Sequence, residues 1–320
     1  MKTLEPMEQK ILKRPILAFL LALTGVVFFS SKSVFVKMAY TYDVDAISLV
    51  TLRLLFSLPV YVVVLLVSFR GKSVRKFRII DYLKIVSLGI LGYYLASILD
   101  FVGLNYVSAS LERLILFVYP TMVLIISSIF NRSKPTFEQK LAVIITYFGV
   151  VLAFYRNTYI SGNSLWIGVV FIFASALSYS FYLVGTGSLI SVFGTALFTS
   201  MVMIVSTIAA STHYLMVQGA EIFSLPRQVY FIAMLMALIS TVIPSFLLSE
   251  AIRQWGPSNV AIVGSFGPIS TIILAGIVLG EKITVFQMLG TIIVISGVLL
   301  LANNKKEKIQ PKVQTVKKNI

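Results

Sequence analysis

Ionisable side chains stand inside long apolar stretches of this chain, where charge is costly and therefore unusual. Glu112 and Arg113 are adjacent near the start of one such stretch, residues 108–130. Acids and a histidine in this setting can take up and release protons, and bases can hold an anion or pair with the acids. The candidates of this kind are Lys32, Arg53, Asp100, Glu112, Arg113 and His213.

Uncharged residues in the same stretches could supply hinges or line a cavity. Pro120 and Pro268 each stand mid-stretch, and neither can donate a hydrogen bond to the carbonyl four residues earlier. We expect a kink at both, with the freed carbonyl facing a partner or a wet cavity. Gly264 and Gly267 leave one face of their stretch open and are hinge candidates as well. The cavity-lining candidates, with ordinary packing as the alternative, are Tyr119, Tyr179, Tyr182 and Ser265.

No constellation typical of a metal site, a cofactor site or an enzyme is visible. The chain has one histidine and no cysteine, and it lacks an H-E-x-x-H pair. It also lacks the G-x-x-x-x-G-K-[ST] loop that an ATP-driven pump requires. We therefore expect no metal, no cofactor and no catalytic residue.

The elements that carry these residues are membrane-spanning helices. Only 12% of the residues are charged and 58% are hydrophobic, whereas a soluble domain carries roughly a quarter charged residues. Apolar runs near twenty residues long match the thickness of a bilayer. The first run follows basic residues like a signal peptide but has no small-residue cleavage site, so an uncleaved span is expected. The prediction is an all-α integral membrane protein with ten transmembrane helices, at residues 15–37, 45–69, 82–104, 108–130, 138–155, 164–189, 195–217, 228–252, 257–279 and 284–302.

Basic residues predict the orientation of these spans. With the N-terminus inside, the inner loops and ends hold twenty of the 27 Lys and Arg residues, and the outer loops hold four. Both termini are therefore expected in the cytoplasm, and the net charge of +15 needs no nucleic-acid partner. Counting about 1.5 Å per residue places all six ionisable candidates in the outer third of the membrane. That layer is interpreted as a binding vestibule or an outer gate, with static pairing or snorkelling as the alternative.

An internal repeat divides the chain. At an offset of 148, residues 110–152 match 258–300 without a gap, including Ser110 with Ser258 and Pro120 with Pro268. Two halves of five spans each must lie in opposite orientations, which is typical of secondary transporters. The predicted domains are a cytoplasmic segment at 1–14, a first repeat at 15–155, a second repeat at 164–302 and a basic tail at 303–320. Glu250 lies two positions from the repeat partner of Asp100, as a second gating acid or as part of a surface pair with Arg253.

Several stretches resemble the EamA-type family of ten-span drug/metabolite transporters. They are Phe-Val-Lys-Met-Ala at 35–39, Leu-Arg-Leu-Leu-Phe at 52–56, Gly-Leu-Asn-Tyr-Val-Ser-Ala-Ser at 103–110, and the proline-bearing run that ends in Leu-Gly-Glu-Lys at 279–282. The resemblance covers residues 15–302. It implies a plasma-membrane permease, often an exporter of amino acids or other metabolites, with a central cavity between two halves. Glu112-Arg113 departs from the family pattern, in which small or apolar residues are usual there.

The function expected from these observations is export of a small metabolite across the plasma (inner) membrane by alternating access. The lipid bilayer and a small-molecule substrate are the expected partners. Proton coupling and uniport both remain open, as does the oligomeric state. The excess of bases in the outer layer favours a substrate that bears a carboxylate. A lipid-handling or flippase-like protein of the same fold is the alternative.

Overall fold

The computed structural model describes residues 5–70, 78–130, 135–154, 164–219, 221–255, 260, 263–264 and 266–307. Within these residues every regular element is helical and no strand occurs. Seven helical stretches there are long and apolar enough to cross a membrane, and two shorter apolar helices lie at Phe266–Leu279 and Val285–Leu300. The all-helical class predicted from the sequence is confirmed, and each of these nine stretches overlaps one of the ten predicted spans, although Phe266–Leu279 covers only the second part of the span at 257–279. The remaining predicted span, at 138–155, coincides with the helix Phe137–Phe154.

The α-helices are numbered here in chain order. They are α1 (Glu5–Ser30), α2 (Lys32–Tyr40), α3 (Ala46–Arg70), α4 (Ile79–Gly89), α5 (Ala96–Leu104), α6 (Ala109–Leu116), α7 (Tyr119–Phe130), α8 (Phe137–Phe154), α9 (Ser164–Phe193), α10 (Thr195–Gln218), α11 (Arg227–Leu235), α12 (Ile243–Trp255), α13 (Phe266–Leu279) and α14 (Val285–Glu307).

Helix α3 begins beside a capping carboxylate. Asp45 Oδ1 accepts hydrogen bonds from the backbone N–H groups of Ile47, at 2.8 Å, and Ser48, at 3.0 Å. Partial burial raises the pKa of the Asp45 carboxyl, but hydrogen bonds from Ser48, Gln218 and Ile47 outweigh it and hold that pKa below its usual value. Since Gln218 ends α10, this cap also joins α3 to α10.

The helical ends extend beyond the predicted spans. Helix α1 starts at Glu5, ten residues before the predicted first span. Helix α14 continues to Glu307, five residues past the predicted end of the last span at 302. Apolar periodicity marks the membrane segment of a helix, and polar helical turns can continue past it without any apolar signal.

The proline stretch at 108–130 is two helices and not one kinked helix. Helix α6 ends at Leu116, and α7 begins at Tyr119 after a turn at Phe117 and Val118. Pro120 lacks the N–H that would bond to Leu116, so the ladder is interrupted at this point. Such discontinuous helices are typical of transporter binding regions.

Two stretches of π-helix interrupt repeat-related spans. One follows α4 at Ile90–Leu95, and the other follows α11 at Met236–Val242. The helices before them start at Ile79 and Arg227, which are 148 residues apart. Pro244 follows the second stretch and lacks the N–H that would bond to Ser240, whereas the first stretch contains no proline.

Serine side chains from neighbouring helices satisfy the carbonyls near the first π-helix. Ser206 Oγ of α10 donates to Gly89 O at 2.8 Å, and Ser178 Oγ of α9 donates to Leu91 O at 2.8 Å. A polar backbone group in a membrane interior needs such a partner. The π-helix is therefore held in place by two other spans.

The repeat is visible in how α8 packs on α14. A Cβ on Gly149 would lie 2.8 Å from Val294 N, and a Cβ on Gly297 would lie 3.0 Å from Thr146 N. Shifting Thr146 and Gly149 by 148 residues gives Val294 and Gly297, so each contact is the repeat image of the other. As the residue number rises along α8, from 146 to 149, the residue number of the contacting position falls along α14, from 297 to 294. These two repeat-related helices are therefore antiparallel and touch through glycine.

The starts of α8 and α14 are also repeat images. Gln139 Oε1 accepts from Thr136 N at 2.9 Å, and Gln287 Oε1 accepts from Thr284 N at 2.9 Å. In each case the threonine Oγ1 accepts a bond from the glutamine N–H in return, at 3.3 and 3.2 Å. Both pairs are capping boxes, and they explain why the two helices begin 148 residues apart.

The remaining large helix contacts also join the two halves. Helix α1 packs on α12, α5 packs on α9, and α3 packs on α10. In the repeat, α1 corresponds to α9, α12 to α5, and α3 to α10. The first two pairs are therefore repeat images of each other, and the third pair is its own image. Ser175 Oγ of α9 donates to Ala96 O at 2.7 Å, and Thr51 Oγ1 of α3 donates to Ala210 O at 3.4 Å. The core is thus built mainly between halves.

Candidate functional site

A lysine lies between two buried carboxylates, and each of the three side chains comes from a different helix. Lys32 Nζ of α2 donates to Asp100 Oδ2 of α5 at 2.5 Å and lies 3.5 Å from Glu112 Oε1 of α6. Ser33 Oγ donates a hydrogen bond to Glu112 Oε2. Asp100 is 1% exposed, Glu112 is 0% exposed and Lys32 is 7% exposed. Burial of this kind requires close pairing, and the structure supplies it for one oxygen of each acid.

The break between α1 and α2 positions Lys32. Ser31 N donates to Phe28 O at 3.2 Å, and Ser31 Oγ donates to the same carbonyl at 2.6 Å. This turn separates the two helices, and Lys32 becomes the first residue of α2. The apolar run at 15–37 predicts a single span and carries no signal for this break.

Two arginines flank the lysine and its acids. Arg53 Nη2 donates to Ser97 Oγ at 2.8 Å, and its guanidinium lies 5.2 Å from the Phe101 ring centroid. Arg113 lies 5.1 Å from the Phe29 ring centroid. Among the described residues neither guanidinium is within 4 Å of a carboxylate. Aromatic faces attract guanidinium groups, so both side chains have a favourable but uncharged neighbour.

We name Lys32, Arg53, Asp100, Glu112 and Arg113 the charge cluster. It contains three bases and two acids, so its formal charge is positive when all five are ionised. Four buried atoms in it have no hydrogen-bond partner in the described part of the chain: Arg53 Nε, Asp100 Oδ1, Glu112 Oε1 and Arg113 Nε. Such incomplete pairing is typical of polar groups that exchange partners or receive a ligand.

A row of aromatic rings starts at the break between α6 and α7. The Tyr119 centroid lies 5.5 Å from that of Tyr179, which lies 5.7 Å from that of Tyr182. Tyr93, on the first π-helix, lies 5.2 Å from Tyr182. A Cβ on Gly92 would collide with the Tyr182 ring, so glycine is required there. The structure thus brings together the three tyrosines predicted from the sequence and adds Tyr93, which was not among the predicted residues.

Glu281, from the second half of the chain, caps the N-terminus of α6, which belongs to the first half. Its Oε1 accepts from Ala109 N at 2.8 Å, and its Oε2 accepts from Ser110 N at 3.2 Å and from Ser110 Oγ at 2.7 Å. A carboxylate at a helix N-terminus satisfies free N–H groups and complements the helix dipole. We name these contacts the Glu281 cap. A cavity of about 200 Å³ lies beside it, lined by residues that include Tyr106, Ser108 and Lys282.

Two other candidates, His213 and Glu250, lie apart from the charge cluster. His213 packs edge-on against Tyr94 at 5.8 Å, and its Nδ1 has no hydrogen-bond partner among the described residues. Glu250 Oε1, on α12, accepts from Gln254 Nε2 at 2.6 Å. Ser265 lies outside the described residues. The described residues hold no group of three or more potential metal-ligating side chains from His, Cys, Asp and Glu.

The hinge candidates have different surroundings. Pro120 stands at the break between α6 and α7, and Pro268 is buried within α13. A Cβ on Gly267 would lie 2.9 Å from Arg113 Nη2, so this glycine makes room for the guanidinium. A Cβ on Gly264 would meet nothing within 4 Å among the described residues. Gly267 is therefore explained by packing against the charge cluster.

Comparison with known proteins agrees with this architecture. The model of the EamA-like transporter family matches twice, at residues 16–155 and 166–303. Similar chains from Bacillus subtilis (strain 168) are the uncharacterized transporter YcbK, 29% identical over 88% of this chain and 92% of its own length, and the uncharacterized transporter YdfC, 27% identical over 72% and 74%.

One solved crystal structure of a protein aligns with a TM-score of 0.61 at 13% identity, and it covers 90% of this chain and 98% of the other. At that identity the likeness shows the fold alone. The two family matches together span most of the chain, and the apolar helices make it a multi-pass membrane protein. The chain belongs to the EamA-like transporter family.

Proposed function

We propose that this protein is a secondary transporter that exports a small metabolite, an amino acid or another organic solute, across the plasma membrane by alternating access. The observation that carries the proposal is the reciprocal antiparallel packing of α8 on α14. A two-fold relation between oppositely directed halves allows one assembly to open to either side of the membrane. Family membership and relatives named as transporters support the same conclusion.

In this proposal ten spans form two inverted repeats, at residues 15–155 and 164–302, with both termini in the cytoplasm. The Glu281 cap and the charge cluster then lie toward the outer side. The cap joins α6 of the first half to the end of α13 in the second half. The state described here is accordingly closed on the outside, and export requires this end to separate.

The charge cluster is proposed to act as the inner layer of that outer gate. Lys32 holds α2 against both α5 and α6 through its two acids. Movement of α6 would separate Glu112 from Lys32 and leave a buried carboxylate without its cation, which is costly unless a proton or a new partner compensates. Proton coupling through Asp100 and Glu112 follows as the mechanism we favour over uniport.

Counterflow in proteoliposomes tests the proposal. Purified protein is reconstituted with a high internal concentration of one unlabelled solute, and uptake of the same labelled solute is followed without ATP or an ion gradient. A carrier exchanges the two and accumulates label transiently. Uptake that a proton gradient accelerates supports coupling. Movement of fluorescent phospholipid without movement of any soluble metabolite contradicts the proposal and favours the lipid-handling alternative.

A further inference from the structure

The charge cluster has one more base than acids, and Arg113 is the base with the fewest polar contacts. Lys32 contacts both acids of the charge cluster. Arg113 is 7% exposed and has no ion pair or hydrogen bond within the described residues, and its Nε is both buried and unpartnered. Glu112 is its neighbour in the chain, but no described carboxylate lies within 4 Å of the guanidinium. A buried cation without a close counter-ion is unfavourable in a membrane, so such groups are usually completed by one.

Arg53 does not offer the same vacancy. Its Nη2 is bound to Ser97 Oγ at 2.8 Å, and the Arg113 guanidinium has no such bond within the described residues. Arg53 therefore already has a polar partner from its own protein.

The surroundings of Arg113 are shaped to keep its guanidinium in one place. Phe29 covers one face of the group at 5.1 Å from the ring centroid. The absence of a side chain at Gly267 leaves the space that Nη2 occupies. Arg113 lies one turn before the break at Phe117, where the backbone ladder is interrupted and the row of tyrosines begins. A planar guanidinium held in this way presents parallel donors that match a carboxylate.

We propose that Arg113 binds the carboxylate of the transported solute, so that the substrate is an organic anion or a zwitterion such as an amino acid. The inference rests on the proposed transport function and specifies its substrate class. Binding of one carboxylate neutralises the surplus charge of the cluster. Lys32, Asp100 and Glu112 then form the gate, and Arg113 forms the substrate subsite.

Matched probes separate charge from shape. Detergent-purified protein is heated with L-phenylalanine, benzoate or succinate, and in parallel with L-phenylalaninamide, benzamide or benzylamine. The same compounds are then used in counterflow. The variants are Arg113→Gln and Arg113→Lys, with Arg78→Gln as a control, because the Arg78 side chain is 78% exposed and distant in sequence from the cluster.

We expect carboxylates to stabilise and exchange on the wild-type protein and on Arg78→Gln. Arg113→Gln weakens the apparent affinity for carboxylates about tenfold or more, since hydrogen bonds to charged groups are among the strongest. Arg113→Lys keeps the positive charge but loses the parallel N–H donors of the guanidinium, so it should retain only part of the wild-type affinity for carboxylates. The affinity for the probes that lack a carboxylate is unchanged or rises in Arg113→Gln.

The outcomes distinguish the two proposals. The inference is wrong, and transport stands, if the probes without a carboxylate are exchanged as well as the carboxylates. The same holds if Arg113→Gln binds and exchanges every probe as the wild-type protein does. If carboxylates stabilise through Arg113 but nothing is exchanged, the transport function is wrong and the anion subsite stands. Stabilisation by phosphatidylglycerol alone, with no response to any carboxylate, assigns Arg113 to a lipid headgroup and overturns the inference.

Discussion

Replacing Lys32 by methionine removes the only cation that contacts both acids in the described part of the chain. The methionine fills much of the same volume, so the loss is chiefly electrostatic. Asp100 and Glu112 remain almost fully buried, at 1% and 0% exposed. Removing one partner of a buried ion pair costs about 3–5 kcal/mol, because an uncompensated charge remains. We expect the free energy of unfolding to fall by that amount.

Thermal unfolding in detergent, followed by helical circular dichroism, measures the effect. Lys84→Met is the matched control, since Lys84 is exposed on α4, and it should change little. Adding Glu112→Gln to Lys32→Met should restore part of the loss, with a coupling of about 0.5–3 kcal/mol. Arg113→Met should be neutral or stabilising, because it removes a buried cation that lacks a partner. A loss below about 1 kcal/mol for Lys32→Met would show that the cluster is solvated and would refute the reasoning.

Three further predictions follow from the packing and the caps. Gly149→Val should lower the free energy of unfolding by about 1–3 kcal/mol, because it overpacks α8 on α14; thermal unfolding measures this. Gly276→Ala should be tolerated, because among the described residues its Cβ would have one neighbour, at 3.9 Å. Asp45→Ala should cost about 0.5–2 kcal/mol at neutral pH. Because the pKa of Asp45 is lowered in the folded state, that difference should be present above pH 4 or so and vanish as the pH falls further, measured by unfolding against pH. Glu281→Gln should weaken the cap by about 0.3–1 kcal/mol and increase thiol labelling of a cysteine placed at the buried Leu111.

Elements with local sequence signals were predicted well. The capping boxes at Thr136 and Thr284 and the aligned glycines at 149 and 297 mark α8 and α14 in the sequence itself. Pro120 likewise predicts an interruption of the helix at 108–130, although a proline alone does not distinguish a kink from the full break between α6 and α7. The π-helix at Ile90–Leu95 has no such signal, because it depends on serine partners from other spans.

The candidate site was predictable only by depth. Counting along each span places Lys32, Asp100 and Glu112 in one layer, and the structure brings them into contact. Depth says nothing about lateral position, which depends on how the helices pack. Depth places His213 in the same layer as well, yet it packs against Tyr94 and makes no described contact with the charge cluster.

Cross-linking the outer end tests alternating access most directly. The chain has no cysteine, so Tyr106→Cys and Lys282→Cys can be introduced alone or together into an otherwise thiol-free protein. Both residues line the cavity beside the Glu281 cap, one from each half. Joining them with a short bifunctional thiol reagent should stop counterflow, and cleaving the linker should restore it, while each single variant stays active. Counterflow that continues at the same rate with the two halves joined would contradict the account.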